Sequence, residues 1–305
     1  MIEPHRPSVY ARRLAAAIRG TAIRGTAIRG TAIRGTAILG AAIIGVPLPA
    51  LADGRLTAKY TLSVGGVELG RGSIVVEAGD AAYEISGSAR VTGVLRAVSS
   101  GKGVAAARGN LSGNKMVPRV YAMNAEADGK AEVARIAMSA GAVKEMDVEP
   151  PLKPLPDRVP LTPGVLQNVI DPMSGAFIYV PGTADLLSSA ACERSIPVFD
   201  GRQRYDISLA YVRTEKVKAD GYTGPAVVCS VRYAPVAGHR PTRYTVKYMM
   251  ENKDMLVWLV PVAGTRLLAP FKVSVATLIG TAVLEAESFE TQAKADPVSV
   301  SAPRP

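Results

Sequence analysis

Between Leu56 and Val148 the chain alternates apolar and polar positions in short bursts, and glycine-containing turns separate the bursts at regular intervals. Alternation with a period of two places successive side chains on opposite faces of a strand. The pattern predicts strands over Leu56–Val64, Val67–Ala78, Ala82–Ala89, Val91–Ser99, Gly103–Leu111, Lys115–Ala125, Glu132–Ser139 and Ala142–Val148. Gly65-Gly66, Gly79-Asp80 and Asp128-Gly129 are the turn signals between them. Such spacing predicts an antiparallel meander. Gly70, Gly72, Gly87 and Gly93 interrupt the strands and predict bends that curl the sheet.

The pattern changes at Glu149. Residues 149–163 are rich in proline and read as an extended surface crossover. Thr162-Pro163 is a helix cap followed by a first-turn proline, so Val165–Ile170 is expected to be a short helix that Asp171-Pro172 interrupts. Met173–Val180 is apolar, and Thr183–Cys192 reads as helical with Thr183 as cap. Residues 164–192 are thus a short helical insert able to cover one face of the sheet. Strand patterning resumes over Ile196–Phe199, Arg204–Lys218, Ala226–Ala234, Arg243–Met250, Met255–Val262, Leu267–Lys272 and Val273–Glu287. The expected architecture is mainly β: one domain over 53–290, with two β-rich halves around the insert. Residues 291–305, ending in ADPVSVSAPRP, read as a disordered tail.

Upstream, Ile18–Ala37 repeats the pentapeptide IRGTA four times. A period of five matches neither a helix face nor a strand face, and the unit is too short for a repeat fold. Its arginines make a positive segment before the uncharged run Ala37–Val46, and Ala50-Leu51-Ala52 is a small-residue cleavage site. Residues 1–52 therefore read as a secretory signal peptide cut between Ala52 and Asp53. The rival reading is an uncleaved anchor, but the uncharged stretch Thr36–Ala52 has 17 residues and is broken by Pro47 and Pro49, where a spanning helix wants about 20. Arg12-Arg13 leaves general secretion and twin-arginine export both open.

Cleavage changes the charge. The whole chain carries +10, but seven arginines and one glutamate lie in residues 1–52, leaving +4 for the remainder. The basic character belongs partly to the signal, and nucleic-acid binding loses its compositional support. Localisation is expected in the periplasm, with only transient membrane contact after cleavage. Cys192 and Cys229 are the only cysteines. In an oxidising compartment they are expected to form a disulfide, whose loop is worth about 3.8 kcal/mol in the chain-entropy model. Two buried thiols or a metal site are the alternatives, the latter disfavoured because a closed zinc site wants four ligands.

Catalytic patterns are scarce. His239, the one histidine after residue 52, lies in the loop sequence AGHRP and reads as a surface residue. No nucleophile elbow, phosphate loop or dinucleotide fingerprint is present, so no catalytic, cofactor or metal residue is expected. Asp200 reads as a turn residue, Asp206 and Glu215 as solvated strand positions, and Trp258 as core. What stands out is an aliphatic surplus, 48% hydrophobic with 5% aromatic residues. A curled sheet lined by such residues either encloses a cavity for an acyl chain or is simply filled.

The run VFDGRQRYDISL (Val198–Leu209), after DPMSGAFIYV (Asp171–Val180), resembles a bacterial exported family, domain of unknown function 3108. Tyr60–Leu62, the glycines Gly70 and Gly72, and Tyr83 fit the same pattern. The resemblance implies a cell-envelope β protein shaped as an open or half-closed barrel, and it brings no catalytic residues. The expected function is binding or carrying a hydrophobic ligand, such as a lipid or acyl chain, in the concavity. The alternative is a structural adaptor that binds another envelope protein.

Overall fold

The computed structural model describes residues 54–97, 99–112 and 115–293. The expected signal peptide, its cleavage point Ala52/Asp53 and residues 294–305 lie outside the described residues. The first half holds seven strands: β1 (Gly54–Val64), β2 (Val67–Ala78), β3 (Ala82–Val91), β4 (Gly101–Ser112), β5 (Lys115–Ala127), β6 (Lys130–Ser139) and β7 (Ala142–Glu149). The insert holds α1 (Pro172–Gly175) and β8 (Ile178–Tyr179). The second half holds β9 (Arg194–Phe199), β10 (Arg204–Ala219), β11 (Tyr222–Ala237), α2 (Tyr244–Glu251), β12 (Met255–Pro261), β13 (Leu267–Thr277) and β14 (Gly280–Ala293).

All the strands belong to one antiparallel sheet in the order β7-β6-β5-β4-β3-β2-β1-β14-β13-β12-β11-β10-β9, with the short β8 added against β13. The alternation seen in the sequence is the reason the sheet has an inside. Leu56, Ala58 and Tyr60 of β1 are buried, while Arg55 and Lys59 are exposed. Inward residues of β2, β3, β12, β13 and β14 join them in one core that includes Val76, Ile85, Val260, Phe271 and Phe289. Removing these side chains from water supplies the main drive to curl the sheet, at roughly 25 cal/mol per Å². Curling also needs room: a Cβ at Gly109 would sit 2.6 Å from the Tyr83 hydroxyl, so only glycine lets that ring lie across β4.

The two outermost strands, β7 and β9, do not pair with each other. The insert wedges the seam instead. Val169 N–H donates to Gly141 in the β6–β7 turn (2.8 Å), Ile170 N–H donates to Pro197 of β9 (2.8 Å), and Ile170 accepts from Phe199 N–H (2.9 Å). Further along, the Arg202 guanidinium donates to the Glu149 carbonyl at 2.8 Å. The result is a half-closed barrel, mainly β, as the sequence implied.

Four expectations change. The predicted strand Val91–Ser99 is a 3-10 turn over Gly93–Ala97, because Gly93 takes a φ of +62°, and a Cβ there would lie 2.3 Å from the Glu68 carbonyl oxygen. Arg243–Met250, read as a strand, contains helix α2. β11 pairs directly with β12 (Val227 opposite Leu259), so the ladder has no place for another strand there. The helical insert 164–192 is mostly irregular, with α1 as its single α-helical turn. Its carbonyls are taken by arginines: Arg194 donates to Tyr179 and Ala190, and Arg266 to Val180 and Ala184, at 2.7–3.0 Å. The last hairpin turns at Leu278-Ile279, between β13 and β14, rather than near Lys272, and β14 takes residues 291–293 from the expected tail.

Candidate ligand-binding cleft

The inside of the curl is occupied by protein. The β10–β11 hairpin folds back over β14: Asp220 N–H donates to the Glu287 carbonyl (3.0 Å), and Phe289 N–H donates to the Asp220 carbonyl (2.7 Å). This brings Tyr222 against Phe271 and Phe289, with ring centroids 5.6–6.1 Å apart across the three pairs. Trp258 lies on the same inner surface, buried, its indole N–H bonded to Glu215. Arg213 and Lys272 sit 5.9 and 5.3 Å from its ring centroid. Glu215 is thus not merely a solvated strand position. Burial would raise its carboxyl, but the Trp258 and Arg213 hydrogen bonds outweigh that and hold it below the usual range.

Open space lies at the seam instead. A cleft of about 760 Å³ runs between the start of β5, the wedge and β9. Its walls are Met116, Val117 and Pro118 on one side, Val169 and Ile170 on the floor, and Phe177, Ile178, Tyr179, Ile196 and Pro197 on the other. Asn110, Ser112, Lys115, Asn168 and Arg194 form a polar rim. The volume is that of a small-ligand site, and the lining has the apolar majority such sites show. β9 keeps one edge toward the cleft, so the wall is part backbone and part side chain. Arg194 is half-buried there, and burial lowers its affinity for a proton.

Behind the floor lies a buried polar cluster. Asp171 caps α1, its carboxylate accepting from Ser174 N–H at 2.9 Å, and the Ser174 hydroxyl meets the Tyr83 hydroxyl at 2.8 Å. Asp171 and Ser174 have no solvent exposure. Burial pushes the Asp171 carboxyl up from its ordinary value. It also raises the Tyr121 phenol to about 12, with the charges of Asp171 and Asp200 adding to the effect. The Asp171-Pro172 pair, read as an interruption, is a cap and first-turn proline; that signature was present in the sequence. The burial of the acid had no local signal.

The cysteines are brought together as the sequence proposed. Cys192, after a 3-10 turn, joins Cys229 of β11 in a disulfide with Cα atoms 5.5 Å apart. The bond fastens the insert to the outer face of β11–β13, where Ile178, Val180, Leu259 and Leu268 make a second buried layer. His239 is not a surface residue. It is 8% exposed beneath the proline-rich crossover, its backbone carbonyl accepting from Val159 N–H at 3.0 Å, and burial lowers its imidazole pKa. Asp200 is a turn residue as expected, its carboxylate accepting from Arg202 and Gln203 N–H at 2.7 Å. Asp206 pairs with Arg204. Among the described residues no group of three or more His, Cys, Asp or Glu is placed to hold a metal.

These features define a half-barrel of antiparallel strands, wedged along its seam and cleft at one end. The chain belongs to the family described as protein of unknown function DUF3108, whose model matches residues 59–287. No curated protein matches it. Among solved structures it is similar to a beta-barrel-like protein of domain of unknown function DUF1849 from Brucella abortus. That similarity spans 80% of this chain and 99% of the other, at 10% identity and a TM-score of 0.47.

Proposed function

We propose that this protein is exported to the periplasm and binds a hydrophobic, chain-like ligand, such as the acyl chain of a lipid, in the seam cleft. The observation that carries the reading is the cleft of about 760 Å³ with apolar walls and a polar rim. Export rests on the signal-like residues 1–52 and fits a cysteine pair that closes as a disulfide. The role is non-catalytic: the cleft offers the ligand apolar surface and two rim cations, Lys115 and Arg194, suited to a carboxylate or phosphate head.

Native mass spectrometry of protein purified from the periplasmic fraction tests this. The expected result is a retained acyl species that Ile196→Trp, which fills the cleft, displaces. A bare protein mass for wild type and variant alike overturns it.

A further inference from the structure

In the sheet register, the β1–β2, β3–β4, β5–β6 and β13–β14 connections all lie at one end, opposite Ser112 and Lys115, where β4 ends and β5 begins, and the β6–β7 turn, which border the cleft. That end carries the two most exposed large apolar side chains among the described residues, Ile279 and Val94. Ile279 is 81% exposed and Leu278 53%, both in the β13–β14 turn; Val94 is 71% exposed in the β3–β4 connection and Val67 48% where β2 begins. These turns are neighbours. Gly65 N–H donates to the Thr281 carbonyl at 3.1 Å, and Thr92 N–H donates to the Leu69 carbonyl at 3.0 Å.

Beside the apolar tips, cations line up across three strands. Arg71 of β2 lies opposite Arg90 of β3, and Arg90 lies opposite Lys102 of β4, all on the solvent face. Like charges placed directly opposite cost sheet stability. Arg71 is relieved by Glu68 (2.9 Å) and Glu287 (3.2 Å), and Lys102 by Glu126 (3.4 Å). Arg90 has no carboxylate partner among the described residues. The row lines an open groove of about 790 Å³.

From this juxtaposition we infer that this end docks on the surface of an anionic phospholipid bilayer. Separate turn tips suit an interface in which apolar side chains enter the acyl boundary while turn backbones stay hydrated. A protein partner would be met better by one contiguous apolar patch. The row of cations behind the tips lies at headgroup level, where phosphates supply the missing partner for Arg90. The inference does not depend on the cleft, which opens at the other end.

Flotation of the full chain, expressed and processed by the cell, with vesicles of phosphatidylcholine alone or mixed with phosphatidylglycerol tests it. Binding is expected to the mixed vesicles only, and added salt should weaken it. Leu278→Ser with Ile279→Ser should weaken it at least tenfold, and Arg90→Gln about fivefold. Both sites are exposed, so thermal melts should match the wild type. Equal binding of wild type and variants, equal binding to neutral vesicles, or no binding to either vesicle overturns the inference.

Discussion

The two halves of the sheet use one hydrogen-bond ladder under opposite burial conditions. β1–β7 are covered on one face only. β3 shows the consequence, with Tyr83 and Ile85 buried and Glu84 and Ser86 open. β11–β13 are covered on both faces, by the inner core and by the pinned insert. Their sequences accordingly lose the alternation: in MLVWLVP of β12, Val257, Trp258, Leu259 and Val260 are buried in succession. Burial on two sides is what turns an alternating strand into an apolar run.

The comparison makes the C-terminal half the more sensitive one. Phe289→Ala should cost about 3–5 kcal/mol in chemical denaturation, since the ring is fully buried in the aromatic cluster. A loss below about 1 kcal/mol would mean that the hairpin over β14 does not pack as described. Replacing both Cys192 and Cys229 by Ala should cost about 2–4 kcal/mol, with the insert the first segment to gain hydrogen exchange. An unchanged melting curve, or a wild-type mass lacking the two-hydrogen deficit, would separate the insert from the stability of that face. Tyr83→Phe, in the single-covered half, removes one buried hydrogen bond to Ser174 and should cost about 1 kcal/mol. At the small end, Val104→Thr on the open face of β4 should change stability by less than about 0.5 kcal/mol.

Asp171 is buried and its folded pKa lies above the ordinary 3.8. The folded state then holds the proton more tightly than the unfolded chain, so this group's contribution falls as pH rises from 3.8 through the folded value. Asp171→Asn keeps an oxygen for the Ser174 N–H and removes the titration. The variant should gain on wild type as pH rises from 4 toward 8 in paired denaturant melts. A constant difference across that range would show that the carboxyl titrates as it does in the unfolded chain.

How far the sequence could be read follows from the same contrast. Where one face is wet, alternation located the strands: β1, β2 and β3 begin within two residues of their expected positions. The misreadings sit where distant partners decide. Tyr244–Glu251 has strand-like residues, but β11 and β12 already occupy each other's edges. Thr183–Cys192 has a helix-like composition, but Arg194 and Arg266 claim carbonyls of this insert. Leu278-Ile279 carries no turn residue before Gly280, so composition alone puts the last bend too early. The cleft was illegible for the same reason. Its third wall comes from β5, separated from the insert and β9 by β6, β7 and the proline-rich crossover, so no local window contains all three.

The pairing of β1 with β14 also has a consequence in time. Gly54 lies opposite Ala293, so the beginning and the end of the described chain meet in the middle of the sheet. Of the strands described, β14, which joins the two halves, is the last to be synthesised. The first seven strands form a contiguous set of hairpins and need no later partner to begin pairing. The inner face of β4–β6 rests on Val169 of the insert and Phe199 of β9, but that of β1–β3 stays largely uncovered until β12, β13 and β14 arrive. Maturation therefore turns on a final, long-range annealing step, slow in the way all contacts between distant parts of a chain are slow. Until it is complete, the apolar face of β1–β3 lies open, the condition under which a folding chain is prone to aggregate.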